Sequence, residues 1–248
     1  MQGALARHGL IALAALGLLG FAGFAATAPA KAPAHASPSG AATEPASDAP
    51  PTPQTLSFSG ELTQGGYLRG VAPRSAVRAR LGDQDLTMSE DGRFFAAFDR
   101  DSPAALDLSV TLANGAVQTE TLTVSARDWQ ISRVNIARRS GGASEAWWKK
   151  RKPEWEAITA SRAKESDADG WRQDFIWPVK GRISGLFGRQ RIYQGEPGSY
   201  HSGIDIAPGH GVPYVAPADG VVVLARTGVS LEGGLIIIDH GAGLNSAF

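Results

Sequence analysis

The sequence contains no cysteine. Disulfides, cysteine-ligated zinc and thiol catalysis are therefore excluded, and the redox compartment is left open. An excess of one charge is also missing. Lys plus Arg and Asp plus Glu each number 24, so the net charge is zero. Nothing in this balance provides for electrostatic capture of nucleic acid or of an acidic polymer. Histidine is scarce, with His8, His35, His201, His210 and His240 the complete set, and any imidazole chemistry must use one of them. Glycine (30) and proline (15) are plentiful by contrast, as a turn-rich β architecture with a spacer requires.

The N-terminal segment reads as a targeting sequence. Arg7 and His8 precede an uncharged run over residues 10–26. Small-x-small sites follow at Ala26-Thr27-Ala28, Ala28-Pro29-Ala30 and Ala34-His35-Ala36. This is the pattern of a secretory signal peptide, and the run also sits at the lower limit for a membrane span. Residues 1–36 are thus expected to be a signal peptide or an N-terminal anchor. Either places the rest of the chain outside the cytoplasm, secreted or anchored, with membrane contact only through this segment. Residues 37–54 are rich in Ala, Pro, Ser and Thr, cannot bury enough apolar surface to fold, and read as a linker.

The remainder is expected to be mainly β. Residues 55–136 show short alternating runs punctuated by turn signals. Residues 86–89 and 93–98 flank Asp91-Gly92, a hairpin signal, and Asn114-Gly115 joins two further runs over 106–112 and 117–124. A last strand is expected over 129–136, giving about seven strands, the number of an immunoglobulin-like sandwich. Asp83, Asp85, Glu90 and Asp91 lack the spacing of a calcium loop and read as a solvated loop face. Residues 137–174 read as a helical connector. Ser144 is placed to cap its start, and Pro153 is expected to begin a second helix. Lys149-Lys150-Arg151-Lys152 reads as a solvated face, and Trp147, Trp148 and Trp155 are expected to pack on a neighbouring domain. Residues 175–248 return to β, with strands over 212–216 and 221–226 and a central, buried strand over 235–238. The strand edge beside residues 235–248 is expected to be exposed, an aggregation liability.

Within this last region stands Tyr200-His201-Ser202-Gly203-Ile204-Asp205-Ile206. An imidazole and a carboxylate are donors that zinc takes, at bond lengths of about 2.0–2.2 Å. On a straight strand four residues span roughly 13 Å, too far for one ion. Gly203, Ile204, Ile206 and Pro208-Gly209 argue against a helix. A sharp bend remains, for which Gly203 has the conformational freedom. The spacing alone also fits a surface His bonded to a turn Asp.

The surroundings of this motif are Trp177-Pro178-Val179, Gly181-Arg182-Ile183-Ser184 and Phe187-Gly188 before it. Val215-Ala216-Pro217-Ala218-Asp219-Gly220-Val221 and Ile238-Asp239-His240-Gly241 come after it. In order and spacing this set resembles the lysostaphin/LytM-type zinc metallopeptidases of bacterial cell walls. The resemblance implies an antiparallel β peptidase domain, incomplete here, with His201 and Asp205 as metal ligands and Zn2+ as cofactor. It further implies a third zinc ligand and catalytic histidines in segments that would lie beyond Phe248. The chain is therefore expected to be truncated, without a catalytic residue of its own and inactive as it stands. His210 reads as a solvated turn residue and His240 as a packed, hydrogen-bonded residue at a strand end. Phe187-Gly188 and residues 193–200 fall where the resemblance implies a loop rimming the substrate groove. The implied activity is cleavage of peptidoglycan peptide crosslinks, with peptidoglycan peptides as partners and no nucleic acid. Some relatives instead bind the wall or activate a cell-wall hydrolase without catalysis, so a cell-wall amidase or division protein is a further implied partner.

Overall fold

The computed structural model describes residues 55–138 and 144–248. The expected leader and linker over residues 1–54 lie outside them. Among the described residues no helix is long and apolar enough to cross a membrane.

Seven strands build an N-terminal sandwich: β1 (Ser57–Glu61), β2 (Tyr67–Val71), β3 (Ala76–Leu81), β4 (Gln84–Leu86), β5 (Arg93–Ala97), β6 (Ala105–Leu112) and β7 (Val117–Thr123). They form two antiparallel sheets of order β1-β2-β5 and β4-β3-β6-β7. A constant-type immunoglobulin sandwich would place the fourth strand beside the fifth. Here it pairs with β3 instead. Apolar residues at alternate positions point between the sheets, with Leu68, Phe94, Leu108, Val110 and Leu122 essentially without solvent contact.

Two local expectations need correction here. Asn114-Gly115 does join β6 to β7 as a hairpin. Asp91-Gly92 does not make one, because β4 pairs with β3 while β5 pairs with β2. A tight turn does form there, closed by the antiparallel bridge Met88–Phe94 and by the Ser89 N–H to Arg93 carbonyl bond of 2.9 Å, but it does not join two strands of one sheet. The turn carries the chain from one sheet to the other, with Gly92 at φ +79°. The strand expected over 129–136 forms as β8 (Ile131–Val134), but outside the sandwich. It runs parallel to β10 (Gln190–Tyr193).

The connector is a single helix, α1 (Glu145–Arg162), where two were expected. Ser144 caps it as expected, its Oγ accepting from the Trp147 N–H at 3.2 Å. Pro153 does not break it. Pro153 lies on the exposed face, where the carbonyl left without a donor meets water. The opposite stripe, Arg151, Glu154, Ile158 and Ser161, is buried against the C-terminal sheet. The basic run is thus split, since the Arg151 guanidinium grips Glu232 through two bonds of 2.7 Å and bonds Glu154 at 3.2 Å. Desolvation pushes the Glu154 carboxyl up. The Ser230 hydroxyl and N–H and Arg151 outweigh it and hold the group below the usual carboxylate range. Trp148 and Trp155 flank the buried stripe and stay exposed rather than packing on another domain.

The C-terminal region adds β9 (Arg182–Gly185), β11 (Glu196–Tyr200), β12 (Asp205–Ala207), β13 (Val221–Val229), β14 (Gly233–Asp239) and β15 (Asn245–Ala247). β14 lies between β13 and β15 and buries Leu235, Ile237 and Ile238, as its unbroken apolar run requires. Residues 212–216 do not form a strand. Val215 bonds to the Pro178 carbonyl, Pro213 has no N–H to give, and Val212, Tyr214 and Val215 are exposed. A 3-10 turn over Gly170–Arg172 ties the connector to both halves. Arg172 grips Asp91 through bonds of 2.7 and 3.0 Å and holds that carboxyl far below its usual range. The Trp171 N–H donates to the His240 carbonyl at 2.9 Å.

His240 has no solvent exposure. Its Nδ1–H donates to the Asp219 carbonyl at 2.7 Å, and its Nε2 accepts from the Ser246 hydroxyl at 2.8 Å. This is the packed, hydrogen-bonded role expected of it. Burial pushes the imidazole pKa down, more than the Asp219 bond and the Asp239 charge raise it. The folded state therefore takes up a proton less readily than the unfolded chain. The stabilisation is complete above the unfolded value of about 6.5 and is lost as pH falls from there through the folded pKa. Urea unfolding should show stability declining between about pH 7 and pH 5, and His240→Gln should remove part of that slope. An identical slope in the variant would contradict this role for His240.

Candidate metal site

β11 ends at Tyr200 and β12 begins at Asp205, so the four residues between them make the bend. The His201 N–H donates to the Arg189 carbonyl and its own carbonyl accepts from Gly188 N–H, both at 2.8 Å. Asp205 pairs with Gly185 of β9 at an irregularity in the register. The bend thus brings His201 Nε2 to 3.2 Å from Asp205 Oδ1. It does so without the left-handed Gly203 that the sequence suggested. Gly203 is buried, and its φ is not positive. The turn comes from the switch between two strand pairings rather than from one permissive residue.

The electrostatics of the pair are specific. His201 Nδ1 lies 3.1 Å from the Leu186 carbonyl. A carbonyl only accepts, so Nδ1 carries the proton of the neutral ring. Nε2 then turns a lone pair toward a carboxylate oxygen, and two acceptors at that separation repel unless a proton or a cation lies between them. Two ligands on a tetrahedral zinc, with bonds of about 2.05 Å, stand roughly 3.3 Å apart. The observed spacing fits that arrangement. So does the second bond from Nδ1 to a carbonyl, which fixes the tautomer in metal-binding histidines. Both side chains are about one-third exposed (30% and 37%), so an ion can reach them.

Among the described residues no group of three or more His, Cys, Asp or Glu side chains stands together to hold a metal. His240 has both nitrogens engaged elsewhere. His210 lies in an exposed turn and, like His240, does not line the groove that contains His201 and Asp205. That groove has a volume of about 750 Å³. The segment over 193–200, expected as a loop, is largely the second strand of the β10–β11 hairpin, and Tyr193, Ser199 and Tyr200 line the groove.

Two residues of the site escaped sequence reasoning. A Cβ on Gly185 would lie 2.2 Å from Asp205 Oδ2 and 3.2 Å from His201 Cε1. Only glycine leaves room for the pair, and the preceding Gly181–Ser184 match was the only hint. Arg100, from the turn after β5, is 5% exposed and reaches across from the sandwich. It donates to the Gly188 carbonyl at 3.0 Å and stacks on Trp129 and Tyr200. Nothing local in the sequence signals it.

Residues 199–248, which contain both candidate ligands, match the model of Peptidase family M23. This match is consistent with a LytM-type peptidase domain, and at family level it supports a metallopeptidase, a hydrolase related to peptidoglycan. No curated protein sequence matches the chain.

The close approach at Gly185 yields a test. Gly185→Ala should displace the Asp205 carboxylate and weaken Zn2+ binding by about 10- to 100-fold, while Ser184→Ala should not. Calorimetric titration decides it, and equal affinity for Gly185→Ala and the wild-type chain would contradict the geometry.

Proposed function

We propose that the chain carries the site of a zinc metalloendopeptidase of the cell wall, of the kind directed at the peptide crosslinks of peptidoglycan in the periplasm or cell envelope, and that it is inactive with the two ligands the described residues bring together. The observation that supports this reading is the 3.2 Å approach of His201 Nε2 to Asp205 Oδ1, with Nδ1 committed to a carbonyl. His201 and Asp205 would hold the ion. Bound there, zinc supplies polarisation of a scissile carbonyl and a water of lowered pKa. The protein's own part is positional. Leu186 fixes the imidazole tautomer, Gly185 leaves space for the carboxylate, and the groove walls hold an extended peptide beside the pair.

A second reading is a non-catalytic envelope protein that binds peptidoglycan or activates a cell-wall hydrolase such as an amidase. One observation favours it: a catalytic zinc usually has three protein ligands, and the described residues bring together two. The two readings share the groove and differ in turnover.

Zinc titration tests the shared site. His201→Ala and Asp205→Ala should each weaken Zn2+ binding by about tenfold or more, and unchanged affinity in either would overturn the ligand assignment. Incubation with purified peptidoglycan then separates the readings. With two ligands, release of soluble peptides by this chain is expected to stay at the level of His201→Ala. Turnover clearly above that variant would contradict the two-ligand expectation and support the enzyme. Co-sedimentation of both proteins with peptidoglycan, without turnover, would support the binding reading.

A further inference from the structure

The groove holding His201 and Asp205 is far more basic than the chain as a whole. Its lining includes Arg138, Arg189 and Arg191, and among the described residues Asp205 is its single carboxylate. Elsewhere on the molecule several arginines are paired, Arg69 with Asp174, Arg78 with Asp85, Arg151 with Glu232 and Arg172 with Asp91. Arg74, Arg133, Arg182 and Arg226 stand singly, and among the described residues only the groove gathers three such groups beside a candidate ligand pair. Among the described residues, the side chains of Arg189 and Arg191 have no ion pair or hydrogen bond, and Arg138 has only the Pro197 carbonyl, at 3.4 Å. Three exposed guanidinium groups without a carboxylate partner give the groove a positive local potential that an anionic ligand would complement.

Their placement ties that anion to the ligand pair. The Arg189 carbonyl accepts the His201 N–H across the hairpin while Gly188 N–H donates to the His201 carbonyl, so Arg189 and His201 are neighbours at a bulge and both line the groove. Arg191 follows two residues later along β10, and Tyr193 two after that, all lining the same groove. Arg138 comes from the segment leaving β8, which is fastened beside β10 through the Gln194 N–H to Val134 carbonyl bond of 3.1 Å, and it reaches the Pro197 carbonyl of β11. The strand that leaves the sandwich thus supplies one of the three charges.

We propose that this groove selects peptides carrying a free carboxylate close to the bond presented to His201 and Asp205, with Arg189 and Arg191 binding that carboxylate and Arg138 adding a third positive charge to the lining. This rests on the peptidase-family reading of the site and sharpens it. A peptide without carboxylates would leave these charges unmatched, whereas one with a carboxylate beside the bond would meet them. Guanidinium groups suit the task because their planar forks bind a carboxylate through two parallel bonds.

The test uses the full chain and two blocked pentapeptides, one of glycine alone and one with D-isoglutamate in place of the central glycine. Fluorescence anisotropy should show the carboxylate peptide binding about tenfold more tightly, with the preference shrinking as salt is raised. Arg189→Gln with Arg191→Gln should abolish the preference, and the double lysine variant, which keeps the charge but not the fork, should retain part of it. Equal affinity for the two peptides, absence of binding by both, or a preference that survives the double glutamine variant would each overturn the proposal. Zn2+ titration of the same wild-type sample reports separately on the metal reading. Peptide preference without zinc binding would sink that reading and leave the anion site standing, and zinc binding without preference would do the reverse.

Discussion

The arrangement of the groove depends on one buried guanidinium. Arg100 leaves the sandwich after β5, and its side chain is 6% exposed, while its one carboxylate partner among the described residues, Asp101, is largely in solvent. Its remaining contacts are the Gly188 carbonyl, the Gln190 side chain and the faces of Trp129 and Tyr200. A buried charge with so little direct neutralisation is costly unless every donor finds an acceptor. Here the acceptors are backbone and side-chain groups of the segment that carries His201. Gly188, held by Arg100 through its carbonyl, donates its N–H to the His201 carbonyl. The sandwich is therefore mechanically continuous with the ligand loop, and Trp129, packed edge-on against Phe187 at 5.6 Å, extends the same contact.

That continuity changes the meaning of the N-terminal half. A sandwich joined by a free linker would place no demand on the groove. Here β8 lies as a third strand beside β10 and β11, and the residues that follow it line the groove itself. The Asp91–Arg172 grip and the Trp171–His240 bond secure the other end of the molecule, so the connector is held against both halves. The Arg151–Glu154–Glu232 cluster then locks α1 over the turn between β13 and β14.

Much of this was legible in the sequence wherever a signal was local. Asn114-Gly115 made a hairpin, Ser144 capped a helix, the apolar run of β14 was central, and His201 and Asp205 were brought together. What was not legible depended on partners distant in the chain. The alternation over residues 129–136 specified a strand but not that β10 would be its neighbour. Residues 212–216 had extended character, but a strand also needs an edge to pair with, and Pro213 weakens the claim. Pro153 looked like a boundary because propensity alone cannot see the buried stripe that stabilises the helix across it. Gly185 and Arg100 matter only through what stands opposite them in space. Gly203 shows the converse: a local explanation for the bend was available, and the real cause was a change of strand partners.

The central claim is that His201 and Asp205 face each other to share a cation rather than to form a surface ion pair. The most direct measurement is the 15N resonance pair of the His201 imidazole, followed as Zn2+ is added to the full chain. The account predicts that Nε2 shifts as its lone pair is taken up while Nδ1 keeps its proton on the Leu186 carbonyl, and that Asp205→Asn markedly weakens the response. A His201 ring that ignores zinc, or one that binds it through Nδ1, would contradict the account.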